Sequence, residues 1–210
     1  MLSIYSDSLS MNIPIEIWQL ILSHSEFLIQ IRLRCVCKLF HEKLEVHDFT
    51  NCDYTKLLTD DILRNYSSIR KLYATDNTKI TNVNYMCQLK ILYAGGNCGI
   101  DNEGIASVTG LEVLCANFNP KITNVNHLKR LKILYATYVC GIDDNGIANI
   151  NLERLYASAN SKITNVNHMS RLALLYAGSN CGINDEGIAN VKLKILYAYN
   201  NSKITKHISD

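Results

Sequence analysis

Residues 89–100 read LKILYAGGNCGI and residues 152–163 read LERLYASANSKI. The same twelve-column wording returns as IRKLYATDNTKI (69–80), LEVLCANFNPKI (111–122), LKILYATYVCGI (131–142), LALLYAGSNCGI (172–183) and LKILYAYNNSKI (193–204). The anchoring leucines are Leu72, Leu92, Leu114, Leu134, Leu155, Leu175 and Leu196, spaced 20, 22, 20, 21, 20 and 21 residues apart. A fixed period of this size means one structural unit stacked on copies of itself, a solenoid whose units bury their apolar faces only against neighbours.

Four columns barely vary: an aliphatic first position, Leu fourth, Ala sixth and Ile twelfth. Side chains alternate faces along a strand, so columns four and six share one face and columns three and five the other. Column three holds Lys71 and Arg154, and a one-residue slip would bury both charges unpaired. The Leu/Ala face is therefore the expected core. The tyrosines of column five (Tyr73, Tyr93, Tyr135, Tyr156, Tyr176 and Tyr197, with Cys115 in the third unit) face outward. Column nine is Asn77, Asn97, Asn119, Val139, Asn160, Asn180 and Asn201. An amide both donates and accepts, so the expectation is an asparagine ladder through every coil, broken at Val139, with the fourth coil a local weak point.

The units also alternate. Odd ones continue K-I-T-N-V-N (79–84, 121–126, 162–167), and even ones continue C-G-I with an Asp or Asn cap and a short apolar-spaced helix (98–106, 140–148, 181–189). A pair of about 41 residues is thus a candidate for the true repeat. A leucine-led period of 20–29 residues running to an asparagine is the mark of leucine-rich repeats. Odd units resemble the convex segments of internalin-type repeats, and even units a shortened form of the cysteine-containing repeat common beside F-boxes. The expected fold class is α/β, with short parallel strands on a concave face and short helices or 3-10 turns on a convex face.

Composition narrows the function. Of 210 residues, 48% are hydrophobic and 19% charged, and the net charge is +2. No Lys/Arg run exceeds two residues, which leaves nucleic-acid binding unsupported, and no apolar stretch approaches a membrane span. MLSIYSDSLSMNIP has no signal-peptide pattern, so the eight cysteines are expected to meet a reducing cytoplasm or nucleus as free thiols. Cys98, Cys140 and Cys181 recur two coils apart, roughly 10 Å, too far for one disulfide or one zinc site. His127 and His168 share a column with Tyr85 and read as surface side chains. No phosphate loop, nucleophile elbow, metal set or cofactor motif appears, and the chain reads as non-catalytic.

Residues 12–44 break the pattern: NIPIEIWQLILSHSEFLIQIRLRCVCKLFHEKL. Pro14 opens a helix carrying Ile17, Leu20 and Ile21, a second runs through Leu28, Ile31 and Leu33, and a third carries Val36, Leu39, Phe40 and Leu44. The segment resembles an F-box. Ile13, Pro14, Glu16 and Ile17 match its Leu-Pro-x-Glu-[LI] opening; Val36, Cys37, Lys38 and Phe40 match its closing segment, 22 residues on from Pro14. Ser25, Gln30 and Phe40 depart from the usual residues. The layout looks like the F-box/leucine-rich-repeat proteins, and its Asn/Ile-rich wording resembles versions encoded by amoeba-infecting giant viruses, whose place would be the host cell cytoplasm.

The resemblance implies a Skp-family adaptor bound by Ile13, Pro14, Glu16, Ile17, Ile21, Val36, Cys37 and Lys38, and through it a cullin–RING ubiquitin ligase. The repeats would then hold an unidentified protein substrate, through Tyr93, Phe118, Tyr135, Tyr138, Tyr156, Tyr176 and Tyr199. The alternative is an interaction or decoy protein without ligase recruitment. The expected division is an extension over 1–11, the helical module over 12–44, a linker with a capping helix started by Thr59 or Asp60 over 45–68, and the solenoid over 69–210. Its last coil has no dedicated cap, leaving fraying (the first expectation), cover by a partner, or pairing of strand edges.

Overall fold

The computed structural model describes residues 14–23, 48–49 and 58–205. Seven three-residue strands carry the anchoring leucines: β2 (Lys71–Tyr73), β3 (Ile91–Tyr93), β4 (Val113–Cys115), β5 (Ile133–Tyr135), β6 (Arg154–Tyr156), β7 (Leu174–Tyr176) and β8 (Ile195–Tyr197). They form one parallel sheet in chain order, with Leu72, Leu92, Leu114, Leu134, Leu155, Leu175 and Leu196 in register. The fold is an α/β parallel-strand solenoid with few helices. Column four is fully buried from Leu72 to Leu175, column six from Ala74 to Ala177, and Lys71 and Arg154 lie on the open face.

An eighth strand, β1 (Asp48–Phe49), pairs with β2 ahead of the first Leu-Tyr-Ala unit. Thr59 then caps α2 (Asp60–Leu63), its hydroxyl accepting from the Ile62 N–H at 3.3 Å, and Leu63 is fully buried over the first coil. Asp60 accepts from the Thr81 N–H and hydroxyl at 3.0 and 2.6 Å, as Asp144 and Asp185 do from Thr164 and Thr205 in later coils, while Asn102 accepts from the Thr123 N–H and donates to its hydroxyl. Residues 58–63 therefore act as a half-coil of the even type.

Each strand stops where the chain turns back. Four residues after every anchoring leucine the backbone is left-handed, at Asp76, Gly96, Phe118, Tyr138, Ala159, Ser179 and Asn200, with φ between 57° and 60°. One of the seven is glycine, although this region costs other residues about 1–2 kcal/mol. The stacking on both sides holds the turn in place.

Column nine corrects the expected ladder. Asn77, Asn119, Asn160 and Asn201 of the odd coils are buried, but Asn97 and Asn180 are exposed and Val139 is 73% exposed. In even coils the inward position falls one residue later, on the fully buried Cys98, Cys140 and Cys181. Val139 breaks nothing, and the fourth coil is not a weak point on that account.

The buried amides span pairs of coils. Asn119 Nδ2 donates to Ala94 O at 2.7 Å and Ile100 O at 3.1 Å, both in the preceding even coil, while its Oδ1 accepts from the Lys121 N–H at 2.9 Å. Asn160 binds Ala136 O and Ile142 O, and Asn201 binds Ala177 O and Ile183 O, in the same way. Asn77 donates to Leu58 O at 3.0 Å, in the half-coil. Forward, the N–H groups of Gly99, Gly141 and Gly182 donate to the carbonyls of Asn77, Asn119 and Asn160. A Cβ on these glycines would lie 2.4–2.5 Å from a carbonyl oxygen of the preceding coil, so the C-G-I motif is a contact requirement.

On the far side, Asn84, Asn126 and Asn167 repeat the device, each donating to and accepting from the next even coil at 2.7 Å. The expected caps form at Asp101, Asp143 and Asn184, which accept from the N–H groups of Gly104, Gly146 and Gly187 at 2.8–2.9 Å. Behind them stand a hydrogen-bonded turn, α3 (Asp144–Ile147) and a 3-10 segment (Glu186–Ile188).

Asn119→Ala strands two carbonyls and one N–H in the interior and is expected to cost about 3 kcal/mol or more. Val139→Ala, on the surface, should stay within about 0.5 kcal/mol of the parent. Urea unfolding of both variants checks the contrast.

Candidate protein-interaction surfaces

The amino-terminal surface is α1 (Ile15–Ser23), whose first turn closes on the Pro14 carbonyl, bonded by the N–H groups of Ile17 and Trp18 at 3.0 and 3.3 Å. Pro14 and Glu16 are exposed, and Ile17, Leu20 and Ile21, at i, i+3 and i+4, are 45%, 55% and 41% exposed. This apolar stripe faces solvent, the condition of a helix face open to a partner. Ile13, Val36, Cys37, Lys38, the second and third expected helices and the departures Ser25, Gln30 and Phe40 lie outside the described residues.

On the open face of the sheet the tyrosines stack on one another. Ring centroids are 4.2 Å apart for Tyr135–Tyr156, 4.7 Å for Tyr156–Tyr176 and 4.3 Å for Tyr176–Tyr197, near parallel throughout. Tyr73 and Tyr93 form a separate tilted pair at 5.4 Å. Cys115, in register between Tyr93 and Tyr135, divides the two groups because it has no ring to continue the stack. Stacked pairs contribute about 0.5–1.5 kcal/mol each beyond buried area, so much of this column holds adjacent coils together.

The gap borders a groove of 680 Å³ lined by Tyr73, Thr75, Asp76, Tyr93, Gly95, Gly96, Asn97, Cys115, Asn117 and Phe118. Burial raises the Cys115 pKa and disfavours the thiolate that nucleophilic chemistry would need. Burial raises the Tyr135 phenol as well, with Tyr156 adding to the effect.

The rim carries the exposed aromatic surface. Phe118 and Tyr138 stack at 4.3 Å and 12°, each about half exposed, and Val139 beside them is the patch member that the ladder reading missed. The overlooked signal is the C-G-I that follows Val139, since it moves the inward position to Cys140. Both rings sit on left-handed backbone, and the hydroxyl of the intervening Thr137 is buried without a hydrogen-bond partner. Tyr199, 82% exposed, stands apart on the last coil. The structure thus joins Phe118 with Tyr138, and Tyr135 with Tyr156 and Tyr176, pairs Tyr93 with Tyr73 in the groove that Phe118 also lines, and leaves Tyr199 by itself.

The remaining candidates are structural. His127 and His168 place Nε2 at 2.9 and 3.0 Å from the carbonyls of Ile105 and Ile147, pinning the preceding coil. Cys98, Cys140 and Cys181 are free and buried, and burial pushes the first two thiols up to about 11. Among the described residues no His/Cys/Asp/Glu group could hold a metal ion, and no helix is long and apolar enough to cross a membrane.

Phe118→Asn exchanges about 0.5–1.5 kcal/mol of stacking for a residue that tolerates left-handed backbone, so stability should move by less than about 1 kcal/mol. A loss above about 2 kcal/mol in thermal unfolding would make the ring a structural brace.

Comparison with curated proteins finds no match to this chain. Residues 11–51, which take in both α1 and β1, match the family model of the F-box domain. That match supports reading the chain as an F-box protein in which residues 58–205 form a parallel-strand solenoid.

Proposed function

We infer that the chain is a substrate receptor of a cullin–RING ubiquitin ligase. In this reading the F-box grips a Skp-family adaptor, and the solenoid, as a series of leucine-rich repeats, holds the protein to be modified. The observation that carries it is the F-box match joined, in one chain, to a stack with an exposed aromatic rim. The segment over 12–44 would dock through Ile13, Pro14, Glu16, Ile17, Ile21, Val36, Cys37 and Lys38, and residues 45–68 would lead into the repeats of 69–210. The open stripe of Ile17, Leu20 and Ile21 supports this, because docking would remove apolar surface from water.

The receptor would supply no chemistry of its own. It would raise the rate of ubiquitin transfer by holding a substrate close to the charged conjugating enzyme, in the cytoplasm or nucleus, or in the host cell for a viral chain. Phe118, Tyr138 and Val139 would form the centre of substrate contact. Tyr93 would lie across the groove, and Tyr135, Tyr156, Tyr176 and Tyr199 would extend the surface. Truncating Phe118 or Tyr138 to Ala should then cost about 1–2 kcal/mol or more in target affinity.

The test is co-purification of adaptor and target with the full chain. Replacing Pro14 and Ile17 by Glu should abolish adaptor retention and leave target capture and the folded repeats intact. Adaptor retention unchanged by these substitutions would overturn the proposed contact. A wild-type chain that captures a target but no adaptor would be an interaction or decoy protein instead.

A further inference from the structure

The groove beside Cys115 opens where the repeat leaves out side chains. Of the seven units, only the second has glycine in both columns seven and eight, Gly95 and Gly96, and only the third lacks the column-five tyrosine, at Cys115. All three residues line the groove, with Tyr73 and Asp76 on the side of the first coil and Phe118 on the side of the third.

The second glycine also sets the place of a charge. A Cβ on Gly96 would lie 2.0 Å from Asp76 Oδ1 and 2.8 Å from its Cγ. Without one, the carboxylate lies across the second coil, where Oδ1 accepts from the Asn97 N–H at 2.9 Å. Its other oxygen, Oδ2, has no hydrogen-bond partner among the described residues, and Asp76 is exposed. Asp76 is the one charged residue among those lining the groove; Lys71, on the same face of the sheet, does not line it.

Aromatic rings surround this carboxylate with part of their faces uncovered. Tyr73 and Tyr93 meet at a tilt of 38°, unlike the near-parallel stack farther along the sheet. Phe118 gives one face to Tyr138 and stays half exposed. Ring faces carry negative potential, so the rings and Asp76 attract the same kind of ligand, a cation. Of the two common cationic side chains, arginine fits better. Its guanidinium is planar and weakly hydrated, stacks on rings and presents a fork of N–H donors, whereas an ammonium holds its water in so open a groove. The volume of 680 Å³ lies within the range of about 300–1,000 Å³ typical of ligand sites, which leaves room for flanking backbone.

Resting on the receptor reading above, which makes this the face that meets the target, we propose that the groove is a subsite for an arginine side chain of the target protein. The guanidinium lies among the rings of Tyr73, Tyr93 and Phe118 and donates to Asp76 Oδ2. The target therefore presents an exposed arginine, and neutral or acidic segments are poor occupants.

A glycine–arginine–glycine tripeptide with blocked ends is the probe, titrated into the full-length protein and followed by backbone amide NMR. The signals of Gly95, Gly96 and Asn97 should shift and saturate. Replacing arginine by citrulline keeps the shape and removes the charge, and should weaken binding at least about fivefold, as expected when an exposed cation–π contact and an exposed ion pair are lost together. The lysine tripeptide should bind more weakly than the arginine one. Asp76→Asn retains an acceptor for the Asn97 N–H and tolerates the left-handed backbone at φ 57°, so the fold should hold while the preference for arginine over citrulline disappears. Equal binding of the arginine and citrulline tripeptides, a preference that survives Asp76→Asn, shifts confined to other residues, or no binding would overturn the proposal. Lysine bound as tightly as arginine would overturn the assignment to a guanidinium. Adaptor retention is a separate readout: a chain that prefers the arginine tripeptide but retains no adaptor keeps the subsite and loses the ligase role.

Discussion

A buried primary amide must find partners for its donors and acceptor without water, and here it finds them in two different coils. Asn119 belongs to an odd coil by sequence, yet both its donated bonds go to Ala94 and Ile100 of the coil before it. An odd coil therefore cannot close its turn unless an even coil is already stacked behind it. The other alternations follow. The even coil turns one residue later and buries a cysteine, which needs no strong hydrogen bond, where its neighbour buries an amide. Its following glycine lets the chain approach the previous carbonyl to contact distance. Two coils make one physical unit.

The strand face was legible because its constraints are periodic. Leu, Ala and Ile columns, outward charges and in-register tyrosines all follow from a two-residue alternation repeated at a fixed spacing. Column nine was not legible by the same method. The distance from the anchoring leucine to the closing isoleucine is eight residues in both coil types, so a turn shifted by one residue leaves the alignment unchanged. Asn97 and Asn180 then pass for ladder members while pointing to solvent. The left-handed positions were hidden for another reason. Gly96 and Asn200 suit that backbone, whereas Phe118, Tyr138 and Ala159 adopt it because the stack leaves the chain no other path. β1 escaped notice because two residues carry no period, and of the helical module only α1 falls among the described residues.

The aromatic side chains of the open face also divide, into rings packed on one another and rings left exposed. The column-five tyrosines from Tyr135 to Tyr197 spend their ring faces on each other. The exposed aromatic surface lies instead on the rim, where Phe118 and Tyr138 are held half out of the protein on backbone that costs free energy to adopt. Left-handed backbone recurs in every coil, so what sets this rim apart is its half-exposed rings beside an open groove and an unsatisfied Thr137 hydroxyl, and these support the proposed contact surface.

The most direct test of the two-coil unit is to compare two internal deletions by urea unfolding. Removing residues 131–171 excises one even and one odd coil and rejoins Arg130 to Leu172, so even again follows odd. Removing residues 131–151 excises one even coil and rejoins Arg130 to Leu152, stacking odd on odd and depriving Asn160 of the Ala136 and Ile142 carbonyls. The paired unit predicts that the larger deletion unfolds cooperatively and at the higher urea concentration, despite losing more residues. A smaller deletion as stable as the larger one, or more so, would mean that the coils are interchangeable singly and that the amide bridge does not define the repeat.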